Sequence, residues 1–79
     1  MSEILPLTTM RLGQAGIVHS IAGGRGMAAR LSALGIRPGV KICKRSALLR
    51  HGPVIVTVGT GEVAVGHHIA SRIMVEVRQ

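Results

Sequence analysis

The chain has 79 residues, none of them Phe, Trp or Tyr, and its ten lysines and arginines against three acidic residues give a formal net charge of +7. This length limits the chain to one small domain with a modest core, and the 47% share of hydrophobic residues argues against intrinsic disorder. The lack of Phe, Trp and Tyr excludes the aromatic-lined grooves that bind proline-rich peptides.

The predicted elements are mostly strands joined by tight glycine turns. Residues 1–15 are predicted to be a loosely ordered lead-in with one helical turn after Thr8, and residues 7–77 to form the ordered core of a single domain spanning 1–79. Strands are predicted over 16–22, 40–48, 54–58, 62–66 and 73–77, a helix over 27–34, and a helical turn over 67–71. Five short strands with tight turns predict a small closed or partly open β-barrel.

The segment from Gly23 to Gly39 carries the clearest local signals. Met27, Leu31 and Leu34 recur at helical spacing and would share one face of a short helix. The residues that follow are interpreted as purely architectural. Gly35 ends the helix through a left-handed conformation, and Pro38 and Gly39 form a turn.

The residues from Gly24 to Ala29 also match the dinucleotide-binding pattern G-x-G-x-x-A. However, no acidic residue lies between Glu3 and Glu62 to hold a ribose, and the predicted helix has only about two turns. We therefore interpret these glycines as the residues of a sharp bend.

Residues that could support catalysis are sparse. The chain has no Asp or Tyr, and its three carboxylates are scattered, so a paired acid and base is not expected and the protein is predicted not to be an enzyme. Cys43 is expected to point outward with Lys41 and Arg45, a setting that favours a reactive thiolate, but a lone strand cysteine is interpreted as incidental. One cysteine forms no internal disulfide, which fits a reducing cytoplasm.

The four histidines do not form a recognisable ligand set. His67 and His68 are adjacent and would point in different directions, while His19 and His51 would meet other ligands only through folding. No resident metal or cofactor is therefore predicted. The alternative is a ferrous ion held by His67 or His68 with Glu62.

The strong positive charge predicts an acidic partner. Arg25, Arg30 and Arg37 bracket the predicted helix, and a second basic group surrounds the second strand: Lys41, Lys44, Arg45 and Arg50. An acidic protein surface is favoured over nucleic acid, because single-strand binding usually adds stacking aromatic residues. Duplex binding through phosphate contacts alone is the alternative.

The pattern R-L-x-x-L-G-I-x-P-G from Arg30 to Gly39, with further matches from Leu7 to Val77, resembles the FeoA family of small cytosolic accessory proteins of bacterial ferrous iron uptake. The resemblance implies a mostly β, SH3-like barrel of about five strands, with one inserted short α-helix and a short helical turn near the C-terminus. It also implies a partner, the ferrous iron permease FeoB, whose cytoplasmic part carries a GTPase domain.

Docking on FeoB would place the protein in the cytoplasm, peripheral to the membrane through the permease. Arg30 and Leu31, which match the family's helix motif, are expected to form the contact face with Arg25 and Met27 beside them. A core position is the alternative for Leu31, and more strongly for Leu34. The alternative function is a basic nucleic-acid-binding or metal-responsive regulatory SH3-like module.

A homo-oligomer is a further expectation, because an edge strand over Val54–Val58 would pair with a second copy. FeoA sequences often carry an apolar residue where this chain has Lys44.

Overall fold

The fold is described from a computed structural model for residues 1–47 and 49–78. Its strands are β1 (Ser2–Pro6), β2 (Ala15–Ile21), β3 (Lys41–Ala47), β4 (Val54–Val58), β5 (Gly61–Val65) and β6 (Ile73–Arg78). A 3-10 turn covers Leu7–Thr9, helix α1 covers Gly24–Ala33, and helix α2 covers His67–Ala70. The predicted mostly β architecture is confirmed.

The strands form one antiparallel sheet in the order β1-β6-β2-β3-β4-β5. Within the described residues the sheet has six strands rather than about five, and it is not closed, so β1 and β5 are its edges. The sixth strand is β1, which pairs with β6 from Ser2 opposite Arg78 to Pro6 opposite Met74. The prediction of a loosely ordered lead-in was therefore wrong for this segment.

The strand over Val54–Val58 has the predicted bounds but not the predicted position. It pairs with β3 on one side and with β5 on the other. Its backbone donors and acceptors are thus engaged by neighbours within the chain, and the expectation that it is an edge strand is wrong. The predicted end of strand β3 at residue 48 lies outside the described residues.

The core is aliphatic and is enclosed by the curved sheet together with the two helices. Strand β6 contributes every second residue, because alternate side chains of a strand face the same side. The buried hydrophobic side chains are Leu7, Met10, Val18, Leu31, Ile36, Ile42, Val54, Val56, Val65, Ala70, Ile73, Val75 and Val77. This core holds α1 against the sheet through Leu31, and α2 through Ala70.

Helix α1 ends in a Schellman motif that turns the chain back into the core. The amide of Ile36 donates to the carbonyl of Leu31 and the amide of Gly35 donates to the carbonyl of Ser32, both at 2.9 Å. Gly35 has a φ of +88°, a left-handed conformation that glycine adopts without steric cost. The motif brings Ile36 and Leu31 together into the core.

Candidate interaction surface

Helix α1 places the four residues expected at a partner contact in different environments. Arg25 and Arg30 are exposed, Met27 is half-buried against the core, and Leu31 is only 3% exposed. A leucine buried to this extent offers no surface to a partner. The expectation that Leu31 belongs to the contact face is therefore corrected, and Leu31 is a core residue.

The neighbouring leucine shows the opposite departure from expectation. Leu34 was expected in the core more strongly than Leu31, but its side chain is 49% exposed. The physical reason is the end of the helix: Leu34 is the capping residue, with φ of −92° and ψ of 2°, and Ile36 rather than Leu34 returns to the core. An apolar side chain thus lies exposed at the end of α1.

The outer face of α1 has small residues at its centre and arginines on its flanks. At about 100° per residue, Gly26, Ala29 and Ala33 fall at the centre of the side that faces away from Leu31. These three residues are exposed, and Arg25 and Arg30 lie on opposite flanks of them. We call these five residues the α1 face.

Arg37 is held at the end of the helix instead of projecting freely. Its Nη1 donates to the carbonyl of Ser32 at 3.3 Å, which places positive charge where the α1 carbonyl groups end. The sequence expectation grouped Arg37 with Arg25 and Arg30, and the structure assigns it a local contact.

A second basic surface lies on the outer side of the sheet. Lys41, Cys43 and Arg45 of β3 line a shallow cleft of about 320 Å³ together with Ala15, Thr57 and Gly59. The Cys43 thiol donates a weak hydrogen bond to the carbonyl of Gly13, with Sγ at 3.7 Å. Cys43 thus lies on the same side of β3 as Lys41 and Arg45, as the alternation of the strand predicts.

Lys44 is the polar residue whose burial sequence reasoning missed. It was grouped with the basic surface of β3, but it is only 5% exposed, and its Nζ donates to the carbonyls of Thr8 at 2.9 Å and Met10 at 2.8 Å. Removal from water lowers the pKa of Lys44. The alternation of side chains along a strand is the signal that predicts this burial, because Lys44 lies two residues after the inward-facing Ile42 and so faces the same side of the sheet.

Folding brings together two histidines that are 16 positions apart in the chain. The ring centroids of His51 and His67 are 4.9 Å apart, with an angle of 57° between the ring planes. His68 lies beside Arg72, with Nε2 at 3.4 Å from Nη2, and Nδ1 of His19 lies 3.1 Å from Oγ of Ser20. Among residues 1–47 and 49–78 no cluster of three or more metal-ligating side chains occurs.

The helices carry no sign of a membrane-spanning segment. In the part of the chain that the structure describes, neither helix has the length and apolar character required to cross a bilayer.

Comparison with known proteins identifies close relatives. The family model of the FeoA domain matches residues 5–77. A candidate Fe(2+) transport protein A of Methanocaldococcus jannaschii is 35% identical over 71 residues, which cover 90% of this chain and 84% of that protein. The crystal structure of an iron uptake regulatory protein, FeoA, superposes with a TM-score of 0.83 at 36% identity, covering 92% of this chain and 95% of the other.

Two more distant structures share the fold alone, since both are below 25% identity. The FeoA of Stenotrophomonas maltophilia, an SH3 domain protein in complex with zinc, has a TM-score of 0.75 at 23% identity and covers 94% of this chain and 96% of its own. A manganese-dependent transcriptional repressor has a TM-score of 0.86 at 20% identity, covering 99% of this chain but 44% of the repressor. The predicted SH3-like fold is confirmed by these superpositions.

Proposed function

Because this chain belongs to the FeoA domain family, we propose that it is a non-catalytic accessory protein of ferrous iron uptake that docks on the cytoplasmic, GTPase-bearing part of the permease FeoB. The observation that carries the proposal is the family match over residues 5–77. The relative from Methanocaldococcus jannaschii, named for Fe(2+) transport, supports the same process. Iron is the cargo of the permease in this proposal, and the accessory protein contributes a binding surface.

We place the docking contact on the α1 face. Its centre is formed by three small residues, Gly26, Ala29 and Ala33, which would let the backbone of a partner helix approach closely. Arg25 and Arg30 on its flanks would pair with carboxylates of an acidic partner, and the exposed Leu34 adds apolar area at one end. Arginines around a small apolar centre are typical of protein interfaces.

The charge of the chain supports a partner surface of opposite sign. A net charge of +7 in 79 residues accelerates encounter with an acidic domain and makes the association rate depend on ionic strength. Close packing at the centre of the α1 face adds a contribution that salt does not screen. We therefore expect FeoB binding to weaken at higher salt without disappearing.

The test is a calorimetric titration of the protein against the purified cytoplasmic domain of its cognate FeoB, at two salt concentrations. We expect saturable 1:1 binding for the wild type and a loss of about tenfold or more for Arg30→Glu, because a paired charge is reversed. Ala29→Gln is expected to weaken binding without changing charge, since its longer side chain separates the two surfaces.

Arg78→Glu is the matched control for Arg30→Glu, because both change the net charge by the same amount. Arg78 lies at the C-terminal end of β6. The start of α1 lies near the opposite end of this strand, because the amide of Ala22 donates to the carbonyl of Arg72 at 2.8 Å. The length of the strand separates the two ends by about 17 Å. Equal losses for the two variants, or no saturable binding between folded proteins, would contradict the proposed contact.

A nucleic-acid-binding module is the second candidate, favoured by the net charge alone. Binding of this kind rests on release of counterions from phosphates, so affinity for duplex DNA would fall steeply with salt. It would also fall equally for Arg30→Glu and Arg78→Glu. Adding a DNA duplex to the same titration series separates the two candidates.

A further inference from the structure

The pairing of β4 with β5 brings two imidazoles to the same point on the surface. His51 lies in the turn before β4, and His67 opens α2 after β5. Because Val54 pairs with Val65, and both are buried, the chain segments just beyond this pair are held side by side. The resulting distance of 4.9 Å between the ring centroids is a consequence of strand register.

From this arrangement we propose that His51 and His67 together bind one divalent late transition-metal ion, with water completing its coordination. Imidazole nitrogen is a preferred ligand of zinc, nickel and copper ions. Nothing in the relation of this chain to ferrous iron uptake requires the site, and it lies apart from the α1 face in sequence.

The separation of the two rings matches the geometry of such a complex. A ligating imidazole nitrogen lies about 2.0–2.1 Å from zinc, which places each ring centroid roughly 3.2 Å from the ion. If the two ring centroids subtend an angle at the ion between about 90° (square) and about 109° (tetrahedral), they are about 4.5–5.2 Å apart. The observed 4.9 Å lies within this interval, so the separation of the rings agrees with both of them ligating one ion.

The backbone on both sides of the proposed site is held by hydrogen bonds. The amide of Gly52 donates to the carbonyl of Leu49 at 3.1 Å in the turn that carries His51. The amide of Ser71 donates to the carbonyl of His67 at 3.0 Å, and that of Ala70 to Gly66 at 2.8 Å. The backbone that carries the two ligands therefore needs little reorganisation when an ion binds, which lowers the entropy lost on binding.

The neighbouring side chains define the character of the site. Nε2 of His68 lies 3.4 Å from Nη2 of Arg72, so His68, although next to His67 in sequence, is not part of the pair. Arg50 adjoins His51 in the chain, and its positive charge opposes the binding of a metal cation nearby. With two neutral protein ligands we expect a weak, open site whose remaining positions exchange water, and ferrous ion would bind it more weakly than zinc.

The experiment is isothermal titration of the untagged protein with Zn²⁺ at neutral pH. We expect one ion per chain for the wild type, with affinity about tenfold or more weaker for His51→Ala and for His67→Gln, because one ring then holds the ion. His68→Ala is the matched control and should keep the wild-type affinity. Mg²⁺ should give no binding, because it prefers oxygen ligands.

Circular dichroism of each variant checks that the fold is retained, and sedimentation of the zinc-loaded protein gives its oligomeric state. Three results would overturn the proposal: no zinc binding by the folded wild type, equal affinity in wild type and His51→Ala, or one ion shared between two chains. The first of these would mean that the two rings make only a tilted ring contact.

Discussion

Lys44 is a buried cation that joins strand β3 to the segment between β1 and β2. Its ammonium group donates to two backbone carbonyls, those of Thr8 and Met10, instead of pairing with a carboxylate. These bonds satisfy acceptors that would otherwise be buried near the core, where an unpaired polar group is costly. The long aliphatic stem reaches through the core side of the sheet, while only 5% of the residue remains exposed.

Burial of Lys44 makes the free energy of unfolding vary with pH in the alkaline range. Its pKa in the folded protein is lowered by desolvation from the ordinary value of 10.5, so between the folded pKa and 10.5 the unfolded chain binds more protons than the folded one. The free energy of unfolding contributed by Lys44 therefore rises with pH across that interval and is constant below it. We expect Lys44→Met to remove this rise, as measured by urea unfolding at pH values from about 8 to 11.

The wild-type curve minus the Lys44→Met curve isolates Lys44, because other titrating groups are common to both proteins. A difference that stays level across the alkaline range would mean that Lys44 titrates alike in the folded and unfolded chains.

Gly16 is required by the close approach of β2 to β6. A Cβ atom at this position would lie 2.5 Å from the carbonyl oxygen of Glu76 and 2.6 Å from Cγ1 of Val75. Because a backbone oxygen moves only with its strand, we expect Gly16→Ala to lower the free energy of unfolding by about 1–3 kcal/mol. Denaturant unfolding measures the loss.

Gly26 is the matched control for this substitution. It lies within α1, and a Cβ atom there would meet nothing within 4 Å. We expect Gly26→Ala to stabilise the protein by about 0.5–1 kcal/mol, since alanine favours the helix. If both variants lost stability equally, steric contact at β6 would not be the reason for Gly16.

At the scale of the element, α1 shows how a helix end selects which leucine is buried. The helix stops at Ala33, and the Schellman motif directs the amide of Ile36 to the carbonyl of Leu31. Leu31 and Ile36 enter the core, whereas Leu34 stays exposed. The apolar residues of the segment thus divide between packing and surface according to the C-terminal turn.

Paired leucine substitutions test this division. We expect Leu31→Ala to lower the free energy of unfolding by about 2–5 kcal/mol, because a buried leucine leaves a cavity. Leu34→Ala should change it by less than about 0.5 kcal/mol, as exposed sites usually do. Thermal or urea unfolding compares the two, and similar losses would contradict the assigned positions.

At the scale of the whole molecule, the open sheet has a protected middle and two edges. β6 pairs with both β1 and β2, whereas β1 pairs with β6 alone and β5 with β4 alone within the described residues. An edge strand leaves one row of backbone groups without a partner strand and is a possible template for pairing with another chain. A second copy would therefore be expected to pair along β1 or β5, and not along β4.

Hydrogen exchange measures this gradient directly. We expect the slowest exchange for amides of β6 that lie between paired strands and the fastest strand exchange in β1, because local opening of an edge disrupts fewer contacts. NMR or mass spectrometry at peptide resolution resolves the two segments, which are far apart in the chain. Equal protection of β1 and β6 would indicate that the sheet opens only as one unit.

Part of this fold was predictable because its signals are local. Val54, Val56 and Val58 alternate, and the strand bounds follow from that alternation and the flanking turn residues. Leu31 and Leu34 were harder to separate, since their spacing fits one helix face and only the position of the helix end distinguishes them. For Lys44 two signals conflict: its position two residues from the inward-facing Ile42 predicts burial, whereas its positive charge predicts exposure, and the structure follows the first.

The amino-acid sequence by itself determined the aliphatic core, the glycine turns, the short helix and the membership of a family, because each rests on residue type and on neighbours a few positions away. Tertiary structure alone decided that Ser2–Pro6 is a strand, since it needs β6 as its partner. It also decided that β4 is interior and that His51 meets His67. The physical reason is that strand pairing joins residues distant in the chain, and neither register nor strand order is encoded in any local pattern.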